Sequence, residues 1–226
     1  MKPVIVGSLL AGFPQQTIYK MWLYFLQGVA LALPSIIAPS PLKVFLISRS
    51  LAYGWRSTLP ATLVPLVTDG PILIISLLVL NQIPVWYLHG LRILGGVFIL
   101  YIAWRIIKLL RVTGPTLKAS EEAAAQSFRQ ALGINVLNPN PYLLWGLVAG
   151  PIVLEAWREV STAAALAFIV GFYAVFVLGL VGLVLLFGAV GRISGNVNKA
   201  LNGVAAAALL ILGCYQIFVG VTAIVQ

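Results

Sequence analysis

Six residues, Ala38-Pro39-Ser40-Pro41-Leu42-Lys43, sit in the middle of an apolar run, 21–51, that is long enough to cross a bilayer. Two prolines spaced x-Pro-x-Pro remove two backbone donors and disfavour regular helix just before each ring. Lipid supplies no water for the carbonyls this frees, so the break survives only where it faces protein or a polar cavity. A helix broken at membrane depth is a candidate substrate or ion site.

Composition makes the membrane the solvent. Of 226 residues 61% are apolar and 8% charged, with a mean hydropathy of +1.05. A soluble domain is about 25% charged. The length suits one all-α polytopic bundle of about six helices of roughly 20 residues each. The net charge of +9 reads as positive-inside loop charge, not as a nucleic-acid surface. One cysteine and one histidine (Cys214, His89) leave no set for an intrachain disulfide, dithiol chemistry or a transition-metal site. A phosphate loop of the G-x-x-x-x-G-K type is missing, and the one histidine lies near a membrane edge. No enzyme, no cofactor and no metal are therefore expected.

The pattern divides the chain into an interfacial tail, 1–20, and one transmembrane domain, 21–226. Spans are expected at 22–51, 57–80, 85–107, 130–154, 161–190 and 200–223. Asn81-Gln82-Ile83-Pro84 closes the second span. A polar segment, 111–129, holds a Gly114-Pro115 turn and Ser120 as a helix N-cap. Nine Lys and Arg (Arg49, Arg56, Arg105, Lys108, Arg111, Lys118, Arg129, Arg192, Lys199) fall on one side, against four (Lys2, Lys20, Arg92, Arg158) on the other. The richer side is expected to be cytoplasmic, with both termini outside the inner membrane.

The halves resemble each other. Ala38-Pro39-Ser40-Pro41-Leu42 parallels Asn138-Pro139-Asn140-Pro141-Tyr142, and Arg92-Ile93-Leu94-Gly95-Gly96-Val97 parallels Lys199-Ala200-Leu201-Asn202-Gly203-Val204. The pairs fall in spans one and four, then three and six. Three spans per half would place the second half upside down, as in the inverted repeats of secondary transporters: repeat one 21–110, cytoplasmic loop 111–129, repeat two 130–226. Spans one and four are broken at Pro-x-Pro.

Pro39-Ser40-Pro41, then Ser48-Arg49-Ser50-Leu51, then Gly54-Trp55-Arg56 resemble the first-helix signature of the LysE family of exporters. Asp69 and Asn138-Pro139 fall where that family keeps an aspartate and an Asn-Pro pair. The resemblance covers about residues 25–216. It implies a six-helix secondary exporter of amino acids or related small solutes, driven by an ion gradient. Ser40 replaces the family's usual central glycine, Leu42 stands where many members carry Asn or Asp, and Lys43 follows.

Asp69 is the acidic residue placed away from loops and ends. A mid-span carboxylate is a functional site by default, and here it is expected to carry the coupling proton; the structural alternative is a carboxylate capping freed backbone or pairing with an arginine. Thr58, Thr62, Pro65, Asp69 and Ser76 share one helical face. The small-molecule solute is expected between the breaks, at Pro39, Ser40, Pro41 and Lys43 and at Asn138, Pro139, Asn140, Pro141 and Tyr142. Half-helices starting after Pro41 and Pro141 would aim partial positive charge at an anionic group. Lys43 meets that group, pairs with Asp69, or snorkels to the interface. Gly146-x-x-x-Gly150 fits a homodimer face or close packing within the bundle, with packing favoured. Competing readings are an exporter of a cation or another non-amino-acid solute, a membrane thiol–disulfide carrier lacking its cysteines, and a non-transporting assembly subunit.

Overall fold

The computed structural model describes residues 15–79, 85–111, 121–190 and 195–225. The tail through residue 14, the turns at 81–84 and 114–115, Ser120 and the loop at 191–194 lie outside the described residues. Among the described residues the chain is helical, with no strand. Helix α1 is Gln15–Ile37 and α2 is Pro41–Tyr53. Gly54 turns the chain at φ 83°, a backbone conformation that glycine adopts without strain. The second span follows as α3 (Trp55–Thr58), a 3₁₀ turn (Leu59–Leu63) and α4 (Val64–Val79). Then come α5 (Val85–Arg111) and α6 (Glu121–Val136). After a break, α7 (Pro139–Leu143), a π-helical turn (Leu144–Ala149), α8 (Gly150–Glu155) and a second π-helical turn (Ala156–Val160) form one helical run. Helices α9 (Thr162–Val190) and α10 (Gly195–Val225) close the chain.

Among the described residues four stretches are long and apolar enough to cross a bilayer: Gln15–Ile37, Trp55–Ile75, Thr162–Val190 and Lys199–Ala223. The first span begins earlier than its hydropathy predicts, since helix already runs at Gln15. The fourth also starts earlier: residues 121–129, expected in a loop, are the first turns of α6. Helix α6 is amphipathic and buries small or short side chains, Ala123, Ser127, Ala131 and Asn135. Its polar face hides it from a hydropathy average.

Glycines set the closest helix contacts. Helices α1 and α9 run side by side in the same sense. A Cβ on Gly28 would stand 2.2 Å from the Phe168 carbonyl oxygen, and one on Gly171 would stand 2.3 Å from the Phe25 carbonyl oxygen. Helices α5 and α10 run antiparallel, with Gly96 against Gly213 and Ile217, and Gly220 against His89 and Ile93. The second span lies along the fourth: its 3₁₀ turn and α3 pack on α6, and α4 packs on α7, α8 and the π-helical turn between them.

Among the described residues the buried apolar side chains form two clusters. One holds Leu42, Phe45 and Leu46 of α2, Val64, Ile99 and Ile102, Ala131 and Ile134 of α6, Leu180, Val184 and Leu209. The other holds Tyr24 and Ala32 of α1, Ile72, Tyr142, Trp145 and Ala149, Phe168 and Phe172. Each broken helix therefore gives one half to each cluster. Both breaks lie at the boundary, and so does Asp69, between Val64 and Ile72 on α4.

Replacing Gly28 or Gly171 by Ala should lower the thermal unfolding midpoint in detergent, at a cost of roughly 1–3 kcal/mol for overpacking. Gly182, whose Cβ would meet nothing within 4 Å, serves as the control: Gly182→Ala should unfold at or above the parent's temperature.

Candidate functional site

Each break leaves carbonyls that regular helix would have paired. At the first, Pro39 cannot donate to the Ser35 carbonyl and Pro41 cannot donate to that of Ile37. Helix α1 ends with Ala38 N–H donating to the Pro34 carbonyl, 2.9 Å. Helix α2 then restarts under a standard cap. Ser40 is extended (φ −148°, ψ 153°), its hydroxyl accepts from the Lys43 N–H, and Pro41 takes the first helical position, where its missing N–H has no intrahelical partner to lose. The Lys43 side chain, 5% exposed, folds back across the gap. Its Nζ donates to the carbonyls of Ser35 (2.7 Å), Ile36 (3.0 Å) and Ala38. An ammonium has three donors, and these three carbonyls take them. None is left for Asp69, and the head group does not snorkel. Lys43 closes the C-terminus of α1, where the helix dipole favours a cation.

The second break solves the same problem with a phenol. Asn138 is the extended N-cap, its side-chain oxygen accepting from the Asn140 N–H, 3.1 Å. Because that N–H is committed, it cannot serve the Val136 carbonyl. The Tyr142 hydroxyl donates there instead, 3.0 Å. The half-helix consequently starts at Pro139, not after Pro141 as the spacing of the prolines suggests; Pro141 belongs to its first turn. In structure Ser40-Pro41 matches Asn138-Pro139. Pro41, Asn138, Pro139 and Tyr142 are buried, Ser40 and Pro141 half-buried, and Pro39 and Asn140 exposed.

Asp69 is 4% exposed and held by neutral donors. Asn135 Nδ2 donates to Asp69 Oδ1 (2.8 Å) and to Thr68 Oγ1 (2.6 Å). Thr68 Oγ1 lies 3.1 Å from Oδ1 and 3.0 Å from the Val64 carbonyl, so its one proton serves either acceptor. Trp145 Nε1 donates to Oδ2 at 3.4 Å. The Tyr173 side chain lies beside the same carboxylate and its ring stacks on Trp145, centroids 5.8 Å apart. The carboxylate thus joins α4 to α6 and to the π-helical turn after the second break. Asn135 and Trp145 lie three and seven residues from Asn138. The π-helical turn, which rotates side chains off the α-helical register and recurs at functional sites, carries Trp145 to the carboxylate.

A family model for the LysE type translocator matches residues 33–219, a span holding both breaks and Asp69. The chain belongs to the LysE type translocator family. It is a multi-pass helical membrane protein of a family of transporters, not enzymes. No curated protein and no solved structure gives a match.

In this LysE type translocator the Ser48-Arg49-Ser50 stretch reaches three helices from one turn of α2. Ser48 Oγ donates to Asn202 Oδ1 on α10, 2.9 Å. Ser50 Oγ donates to the Val184 carbonyl on α9, 2.6 Å. Arg49 donates through Nε to Ser127 Oγ (3.0 Å) and through Nη2 to the Ala123 carbonyl (3.2 Å) and Gln126 Oε1 (3.3 Å), all on α6. The sequence counts Arg49 among the charges of the cytoplasmic side. It is instead buried, with its guanidinium 3.9 Å over the Tyr53 ring.

Sequence reasoning missed Asn135, Trp145 and Tyr173 as partners of Asp69. Asn135 carried a signal, a polar residue inside an apolar helix three positions before an Asn-Pro pair. Trp145 and Tyr173 did not, since aromatic residues are ordinary in such spans. The hydroxyls of Ser57, Thr58 and Thr62 turn back onto carbonyls of their own turns, which removes them from solute contact.

Tyr142→Phe leaves the Val136 carbonyl unpaired and should lower stability by about 1–3 kcal/mol. Lys43→Met, with three carbonyls at stake, should cost more. Thermal unfolding in detergent compares the two, and Lys43→Met at the parent's midpoint would refute the closing role.

Proposed function

We propose that this translocator exports amino acids or related small solutes across the inner membrane in exchange for protons. Its six spans would form two inverted three-helix repeats with both termini outside. The observation that carries this reading is the buried Asp69 carboxylate. It is held by donors from α4, α6 and the π-helical turn, in the layer where the first and fourth spans break. A carboxylate buried at membrane depth is costly unless it is used. Its donors also come from both halves of the chain.

Coupling follows from that arrangement. Asn135 and Trp145 flank the second break. A change in the angle between α6 and the run beginning at α7 would pull one donor off the carboxylate while leaving the other. An ionised Asp69 prefers the arrangement with every donor in place; a protonated one tolerates their loss. Solute binding between the two half-helix starts would bias the same angle, so proton and solute would compete for one equilibrium. Four of the nine solute-site candidates, Ser40, Lys43, Asn138 and Tyr142, already serve the backbone at the breaks. Their role for solute would be to hold the restarting helices open in one fixed geometry.

An organic solute is favoured over a cation. Among the described residues no group of three His, Cys, Asp or Glu side chains assembles, and cation cages are built from several oxygen ligands.

In inside-out vesicles an acidic lumen should drive uptake of the exported amino acid. Asp69→Asn, an isosteric change, should insert and fold as the parent does yet lose the response to the pH gradient, falling to the flux of empty vesicles. Gradient-driven uptake undiminished in Asp69→Asn would sink the proton role. Asn135→Ala should weaken coupling without abolishing it, since Trp145 and Thr68 remain on the carboxylate.

A further inference from the structure

One cavity of about 350 Å³ lies apart from Asp69, between α2, α5 and α6. Its polar lining is Ser48, Arg49, Tyr53, Arg105, Lys108 and Gln130, and among the described residues no Asp or Glu lines it. Among the described residues every hydrogen-bond partner of Arg49 is neutral, so the cation it brings to the wall is not cancelled by them. A cavity walled by three cations and no acid is built for an anion.

The outer face of α5 says which kind. Its exposed side chains are Leu94 (60%), Val97 (55%), Tyr101 (48%) and Trp104 (55%), followed by Lys108, also exposed. The steps of three, four, three and four keep them on one face of the helix. From Leu94 to Trp104 the stripe is about 15 Å long, half of a hydrocarbon core of roughly 30 Å. Lys108 Nζ stands over the Trp104 ring at 5.3 Å, and Tyr101 and Trp104 have ring centroids 6.3 Å apart. A soluble anion would need the cations but has no use for the stripe. A phospholipid needs both. Aromatic side chains at the end of an apolar band, next to cations, also mark the headgroup level of a span.

We propose that this face binds one anionic phospholipid. Its phosphate sits at the cavity mouth between Arg105 and Lys108, with Arg49 behind, and one acyl chain lies along Leu94, Val97, Tyr101 and Trp104. Basic pockets between membrane helices on the cytoplasmic side take lipid head groups by the same electrostatics. Because Arg49 fastens α2 to α6, the lipid would sit against the joint between the first and fourth spans. The proposal does not depend on what the protein exports.

Native mass spectrometry of the full chain in neutral detergent, titrated with phosphatidylglycerol, tests it. One lipid adduct is expected. R105Q/K108Q should weaken it by roughly 30-fold, two cations near a headgroup being removed, while the charge-keeping R105K/K108R retains it. Phosphatidylcholine with the same chains should bind weakly and equally to the parent and to R105Q/K108Q, and soluble glycerol phosphate should not displace the lipid. Equal phosphatidylglycerol binding by R105Q/K108Q overturns the proposal, as does a phosphatidylcholine adduct of the same strength. Displacement by glycerol phosphate at matched concentration assigns the cavity to a free phosphate and overturns the lipid assignment.

Discussion

A carbonyl freed inside a bilayer must find a donor within the protein, and the middle of this molecule is arranged around that requirement. Each proline break removes backbone donors where water is scarce. One break recruits an ammonium from one turn ahead, at Lys43, and the other a phenol from one turn ahead, at Tyr142. The two solutions differ in chemistry but share a geometry: an extended polar cap, a proline at the first helical position, and a long side chain folded back over the gap. Side chains thus tie the two pieces of each broken helix together with no continuous backbone ladder between them.

The consequence for packing is a molecule with two apolar clusters and a polar seam. Helix α9 is unbroken and contributes to both clusters. Helices α5 and α10 anchor the first cluster and α1 the second. Asp69 lies in the seam, satisfied by neighbours that themselves belong to different elements. A charge held only by neutral donors is sensitive to small shifts in any of them, because no opposite charge fixes its energy. That sensitivity is what a coupling residue needs, and it distinguishes Asp69 from a carboxylate locked in an ion pair.

Much of this could be read from the residues alone. The breaks were legible because proline has an unconditional effect on the backbone. Asp69 was legible because an acid in an apolar span is conspicuous. What could not be read was where side chains from distant segments arrive. Lys43 looked free to serve solute or Asp69, since sequence shows a charge but not the three carbonyls five to eight positions behind it that claim it. Arg49 looked like one more charge of the cytoplasmic side, since burial of an arginine depends on a polar face of α6 that hydropathy averages away. The start at Pro139 depended on which of two asparagines caps, a choice made by Asn138 being in position to bond the Asn140 N–H.

The contact between α1 and α9 has a bearing on how this sequence can change over time. Where Gly179 faces Ile36, what would obstruct a larger residue is a side chain, and trimming that isoleucine would restore the fit. At Gly28 and Gly171 the obstruction is main chain on both sides, and no substitution elsewhere can trim a carbonyl. Those two sites have no second-site suppressor among the side chains they face. Drift in the first and fifth spans is therefore free along most of their length and closed at one reciprocal pair.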